Sequence, residues 1–130
     1  MSAGYSATPQ IRKLGIKPGM RVGLLHPPDA WRLRDPPELV DASAGPADLL
    51  LWFVRSASEL AELEPAAQRI FPDGALWIAW PRRAGGHESD VTENGIRGAA
   101  LPLGLVDVKV AAVDDDWSGL KIVWRRANRR

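Results

Sequence analysis

Apolar residues in this chain follow two patterns, short runs apolar at every position and longer stretches with helical recurrence. Asp48 to Val54 (DLLLWFV) and Ala75 to Trp80 (ALWIAW) are of the first kind. Being apolar on both parities, they predict strands covered on both faces, as in a parallel sheet. Between them Leu60, Leu63, Ala67 and Ile70 recur at helical spacing, with Glu59, Glu62, Gln68 and Arg69 interposed, which predicts an amphipathic helix. Ser56-Ala57-Ser58-Glu59 reads as its capping box, the Ser side chain taking one orphan amide while Glu59 reaches back. Pro65 should kink this helix or begin a second turn. Strand, helix and strand in this order predict a βαβ unit.

The flanks extend the pattern. Thr8-Pro9 before a short periodic segment and Gly15 after it predict a helix from Pro9 to Leu14, followed by a turn at Lys17-Pro18-Gly19. Arg21 to Leu25 (RVGLL) reads as the first strand. Pro27, Pro28, Pro36, Pro37 and Pro46 then fix φ and remove ladder donors, so residues 27–46 are expected to be mostly loop. Asp90-Val91-Thr92-Glu93 resembles a second helix start, running to about Leu101 and weakened by Gly95 and Gly98. Val106 to Val113 and Leu120 to Trp124 predict two strands joined across Asp114-Asp115-Asp116-Trp117-Ser118-Gly119, with Gly119 taking the awkward φ. The whole predicts one three-layer Rossmann-like α/β domain over residues 1–130, with about five strands, mostly parallel, and a C-terminal antiparallel β-hairpin. Residues 1–20 form its N-terminal helix and turn, and residues 125–130 a basic tail.

Composition narrows the possible functions. A chain of 130 residues fits one domain with its own core. No cysteine is present and there are only two histidines, which removes thiol chemistry and the common zinc and iron–sulfur sites, so no metal or other cofactor is expected. The most apolar run, Leu49 to Val54, is far shorter than a bilayer span. The first fourteen residues lack a signal-peptide core. A cytoplasmic protein without membrane contact is therefore expected. The net charge of +1 conceals a division: Met1 to Arg21 carries Arg12, Lys13, Lys17 and Arg21 with no acid, and Lys121 to Arg130 carries five bases with no acid. The acids lie between.

Ligands of open α/β sheets sit beyond the carboxyl ends of the strands. The predicted ends present His26 with Asp29, then Arg55 with Ser56, then Trp80, Arg82 and Arg83, with His87 on the next loop. These could line a cleft for a small anionic ligand, the two guanidiniums acting as forked donors. Set against this, His26 can simply cap a strand, and Arg82, Arg83 and His87 can be solvated loop residues. Asp114-Asp115-Asp116 has the chemistry for a hard cation but not the spacing, and reads more simply as a polar turn. Six tryptophans invite a base-stacking reading. Trp52, Trp77 and Trp80 nevertheless fall in buried-type strands, and Arg125 to Arg130 reads as a frayed, solvated tail, so nucleic acid is not the expected partner. No nucleophile elbow, zinc-binding helix motif, phosphate loop or dinucleotide fingerprint occurs, so an enzyme is not the leading expectation.

Gly4-Tyr5-Ser6 with Thr8-Pro9, Lys13 to Gly19, Trp80-Pro81-Arg82, Asp90 to Glu93, Leu101 to Lys109 and Val113 to Lys121 together resemble a family of short bacterial proteins known by a domain of unknown function. The succession of strand, helix, strand, helix and hairpin is similar to the C-terminal half of the class I methyltransferase-like Rossmann fold. That likeness implies a truncated methyltransferase-like topology and, in a full member, an S-adenosylmethionine site with a glycine-rich loop after the first strand. Here the first strand is followed by His26-Pro27-Pro28-Asp29-Ala30-Trp31, where proline stiffens the turn that glycine would open. The leading expectation is a non-catalytic Rossmann-like module that binds a partner protein or a small anionic ligand. The alternatives are a degenerate S-adenosylmethionine-dependent or nucleotide-binding enzyme, and a nucleic-acid binder acting through its basic ends.

Overall fold

A computed structural model describes residues 8–129. Gly4-Tyr5-Ser6 and Arg130 therefore lie outside the described residues. Six strands form one mixed sheet: β1 (Arg21–Leu25), β2 (Val40–Asp41), β3 (Leu49–Phe53), β4 (Ala75–Pro81), β5 (Leu105–Ala112) and β6 (Trp117–Trp124). Their order is β2-β1-β3-β4-β6-β5. The first four are parallel, while β6 pairs antiparallel with both β4 and β5. The predicted C-terminal hairpin is present, with its second strand inserted beside β4.

β3 is buried at every position, as its unbroken apolar run requires. Its side chains alternate between two cores. Leu50 and Trp52, with Leu76, Ile78, Leu120 and Ile122, face α2 (Leu63–Arg69) and α3 (Glu93–Ala100). Leu49, Leu51 and Phe53, with Trp77 and Ala79, face Leu14 and Ile16 from the chain around α1 (Gln10–Leu14), and Trp31, Leu33 and Leu39 from the proline-rich segment. Both faces are thus covered, but unequally. One outer layer is two helices; the other is a five-residue helix and a loop, because the prolines that exclude helix still leave apolar side chains to pack.

The expected loop over residues 27–46 contains β2, the sixth strand. Two amides are enough to make it: Val40 N donates to Met20 O and Ala42 N to Val22 O. The close approach depends on Gly23, where a Cβ would lie 2.3 Å from Ala42 O. The hairpin link is also shorter than expected, since β6 begins at Trp117 and includes Ser118 and Gly119. Gly119 is not at positive φ. Its missing Cβ makes room instead for Trp77 and Val113, which would lie 3.0 and 2.9 Å away.

The chain between β3 and β4 opens with a 3-10 turn, Ala57–Glu62, and becomes α-helical only at Leu63. Pro65 sits in the first turn of α2, where an amide has no intrahelical acceptor to lose. Glu59 does reach back, accepting from Ser56 N at 2.9 Å and from Ser56 Oγ at 3.1 Å. Thr92 rather than Asp90 caps α3, accepting from Gly95 N at 3.0 Å. Asp90 caps the other turn, accepting from Ala57 N at 2.8 Å. The basic tail is docked rather than frayed: Arg126–Asn128 is a 3-10 turn and Arg129 Nε donates to Trp124 O at 2.8 Å.

Candidate functional site

Chain direction changes sides between β1 and β3. The segment after β1 covers the α1 face, while the turn and helix after β3 cover the α2 face. Such a switch point opens a crevice at the carboxyl ends of the strands. Here Arg55 lies across it, its Nη1 donating to His26 O at 3.0 Å and its guanidinium carbon 5.4 Å from the centre of the Trp117 ring. Phe53 at the end of β3 is flanked edge-on by Trp31 and Trp117, each ring centre at 4.9 Å. Proline, Trp31 and Arg55 thus occupy the place where a glycine-rich loop would leave backbone amides open. The crevice does not fit an adenosyl cofactor in this form.

A second depression of about 450 Å³ lies one strand further along, between the end of β4 and the start of α3. Trp80, Arg83, His87, Ser89, Thr92 and Arg97 contribute to its walls. Trp80 reaches it because the last residues of β4 outrun the helix layer and leave the indole half-buried. His87 is fixed by Asp116 of the hairpin, Nε2 to Oδ1 at 2.9 Å. Ser89 Oγ donates to Arg55 O at 3.0 Å, tying the two parts of the carboxyl edge together. Arg97 is held by Asp107 at 2.8 Å and Glu93 at 2.9 Å. Those two hydrogen-bonded carboxylates raise its pKa above the ordinary guanidinium value, and Arg97 in turn holds the Asp107 carboxyl below its usual range. Arg83 is exposed and makes no side-chain hydrogen bond or ion pair with the described residues.

The eight residues singled out from the sequence therefore divide, and Ser56 is taken up by its turn, its N and Oγ donating to Glu59. Trp80, Arg83 and His87 meet in the depression. His26 and Arg55 meet at the switch crevice through a backbone carbonyl, with the imidazole exposed. Arg82 turns to the opposite side, lining a depression with Gln10, Lys13, Arg34 and Asp114. Asp29 is exposed and joins neither group. The eight do not form one cleft, because consecutive residues leaving a strand point to opposite faces. Sequence reasoning missed Ser89, Thr92 and Arg97. The helix start read at Asp90 to Glu93 was the signal, but nothing in the sequence set it beside Trp80.

Asp114-Asp115-Asp116 is a turn. Asp114 Oδ1 accepts from Asp116 N at 2.8 Å and Trp117 N at 2.9 Å, and its Oδ2 accepts from Trp31 Nε1 at 2.9 Å. Those bonds consume the carboxylate that a cation would need. Trp52, Trp77, Trp117 and Trp124 are buried, and Trp77 and Trp124 donate to Leu14 O and Ala67 O at 2.9 Å. They are not available as stacking platforms. Among the described residues no helix is long and apolar enough to cross a membrane.

No curated protein matches the chain. The family of proteins of unknown function DUF3052 matches residues 35–126, which excludes the Gly4-Tyr5-Ser6 and Lys13 to Gly19 motifs but includes Arg55, Trp80, Arg82, Arg83 and His87. With well over half of its length matched, the chain belongs to that DUF3052 family.

Proposed function

We propose that this chain is a non-catalytic, Rossmann-like binding module whose ligand is a small anion held at the carboxyl edge of β4. The observation that carries the reading is Arg83, a free guanidinium on the wall of a polar depression beside the half-buried Trp80 indole and the start of α3. A guanidinium offers a planar fork of donors to carboxylate or phosphate, and Glu93, the one acid among the described residues of the wall, is already paired with Arg97. The depression is polar, which suits an anion. His87 and Arg97, fixed by Asp116 and by Asp107 with Glu93, give it walls with little freedom to lose on binding. The Rossmann-like half of the reading is supported by the parallel β3-helix-β4 crossover and the switch point beside it.

The test is calorimetric titration of the chain with inorganic phosphate and with small mono- and dicarboxylates, repeated on Arg83→Ala. Binding to at least one of them, weakened about tenfold or more by the substitution, is expected. Binding unaffected by Arg83→Ala would overturn the site, and no binding to any of these anions would overturn the reading. The methyltransferase-like alternative is favoured by the antiparallel C-terminal hairpin alone. It requires Arg55 to swing away from His26, so heat on titration with S-adenosylmethionine would revive it.

A further inference from the structure

Lys121 of β6 lies directly opposite Lys109 of β5. On its other side its cross-strand partner is Trp77 of β4, which is fully buried. Above it passes the left-handed residue Gly15 that ends α1: a Cβ there would lie 3.6 Å from Lys121 Nζ. Lys109 is held in place by its own bond, Nζ donating to Lys13 O at 2.8 Å. The Lys121 amine is thus set between an indole-bearing strand, a backbone turn and a fixed like charge. No carboxylate forms an ion pair with either lysine among the described residues. Burial first, and the charge of Lys109 second, hold the Lys121 ammonium below its usual pKa range. The residue is nevertheless partly exposed, so small reagents reach it. A neutral amine is the nucleophilic form, and a lysine next to another cation has more of it.

We propose that Lys121 is a modification site, the lysine of this chain most readily acylated by small activated acyl donors such as acyl phosphates and acyl thioesters. The nitrogen lone pair attacks the acyl carbon, the bond from that carbon to the phosphate oxygen or thiolate sulfur breaks, and the leaving group departs with its electron pair. The proton lost from nitrogen passes to solvent, and a neutral amide remains. The product carries no charge, so the repulsion between Lys109 and Lys121 disappears. Neither Lys13 nor Lys17, the other two lysines of the sequence, lies on a strand opposite another lysine.

The experiment exposes the purified folded chain to acetyl phosphate at mildly alkaline pH and follows each of the four lysines by peptide mass spectrometry. Lys121 should acquire acetyl severalfold faster than the exposed Lys17, and the preference should vanish in urea. In Lys109→Gln, a conservative change on the exposed edge strand, Lys121 should label more slowly because the like charge is gone. Equal labelling of Lys121 and Lys17 in the folded chain would overturn the proposal, as would a Lys121 rate indifferent to Lys109→Gln. Protection of both lysines by inorganic phosphate, without a rate advantage at Lys121, would mark the pair as an anion holder and would equally overturn it.

Discussion

Gly23 shows how much a single residue can decide. Residue 23 is buried in β1, and a Cβ there would stand 2.3 Å from Ala42 O and 2.8 Å from Leu50 Cδ2. The oxygen belongs to the chain that has just left β2, so it cannot retreat without parting the β1–β2 ladder. Gly23→Ala should therefore lower unfolding free energy by about 2 kcal/mol or more, the scale of forced backbone shifts in a packed site. Urea unfolding measures this, and a loss within experimental error would show that β2 is not held there. Two carboxylates have an equally local consequence. Hydrogen bonds from Arg21 to Asp48 and from Arg97 to Asp107 hold both acids below their usual range. A carboxyl whose pKa is lower in the folded than in the unfolded chain stabilises the fold above its unfolded pKa, and that contribution is lost as pH falls through the folded value. Stability should thus decline below about pH 4, the ordinary carboxylate range. Asp48→Asn with Asp107→Asn should be less stable than the parent at neutral pH and decline less on acidification. Urea midpoints taken across acid pH check the slopes, and parallel curves would contradict the assignment.

At the level of elements, legibility follows the source of each element's stability. β3 and β4 owe theirs to burial on both faces, which leaves an unbroken apolar run in the sequence, and both are found within one residue of their expected ends. β2 owes its existence to two backbone amides and a missing Cβ elsewhere in the chain, and its own residues are exposed, so no local pattern announces it. The start of β6 was concealed similarly, because Ser118 and Gly119 resemble a turn until Trp77 is set against them. The candidate site was legible as a set of strand ends and illegible as a grouping. Arg82 and Arg83 are neighbours in sequence and line different depressions. α3 offers a direct test at this scale. Its side-chain cap is Thr92, so Thr92→Ala should cost about 1 kcal/mol. If the helix start also contributes to anion holding, the same change should weaken phosphate binding without touching Arg83. A stability loss with unchanged binding would confine Thr92 to the fold.

Across the whole molecule, the two basic ends and the acidic middle are interleaved. Lys13 from the first basic segment accepts a hydrogen bond from Lys109, which lies opposite Lys121 from the last. The bases of the tail, Arg125 to Arg129, follow Trp124, whose ring packs on α2 on the opposite face of the sheet from Lys121. Bases of the first and last segments thus meet beside Lys109, while the tail is held at Trp124. The same interleaving bears on the segment that the family matches. Residues 35–126 contain β2 to β6, α2 and α3, but omit β1 and α1. β1 is internal, lying between β2 and β3 and pairing with both. Without it, the amides and carbonyls along one side of β3 lose their partners, and β2 has no neighbour. Without α1, Leu14 and Ile16 no longer cover Leu49, Leu51, Phe53 and Trp77. A fragment of residues 35–126 should therefore lack a cooperative unfolding transition, whereas residues 8–129 should retain one. Near-ultraviolet circular dichroism is the sensitive measure, because Trp77 and Phe53 lose their fixed packing first. A cooperative melt in the short fragment would mean that β3 can serve as an edge, and that β1 was added to a core already complete.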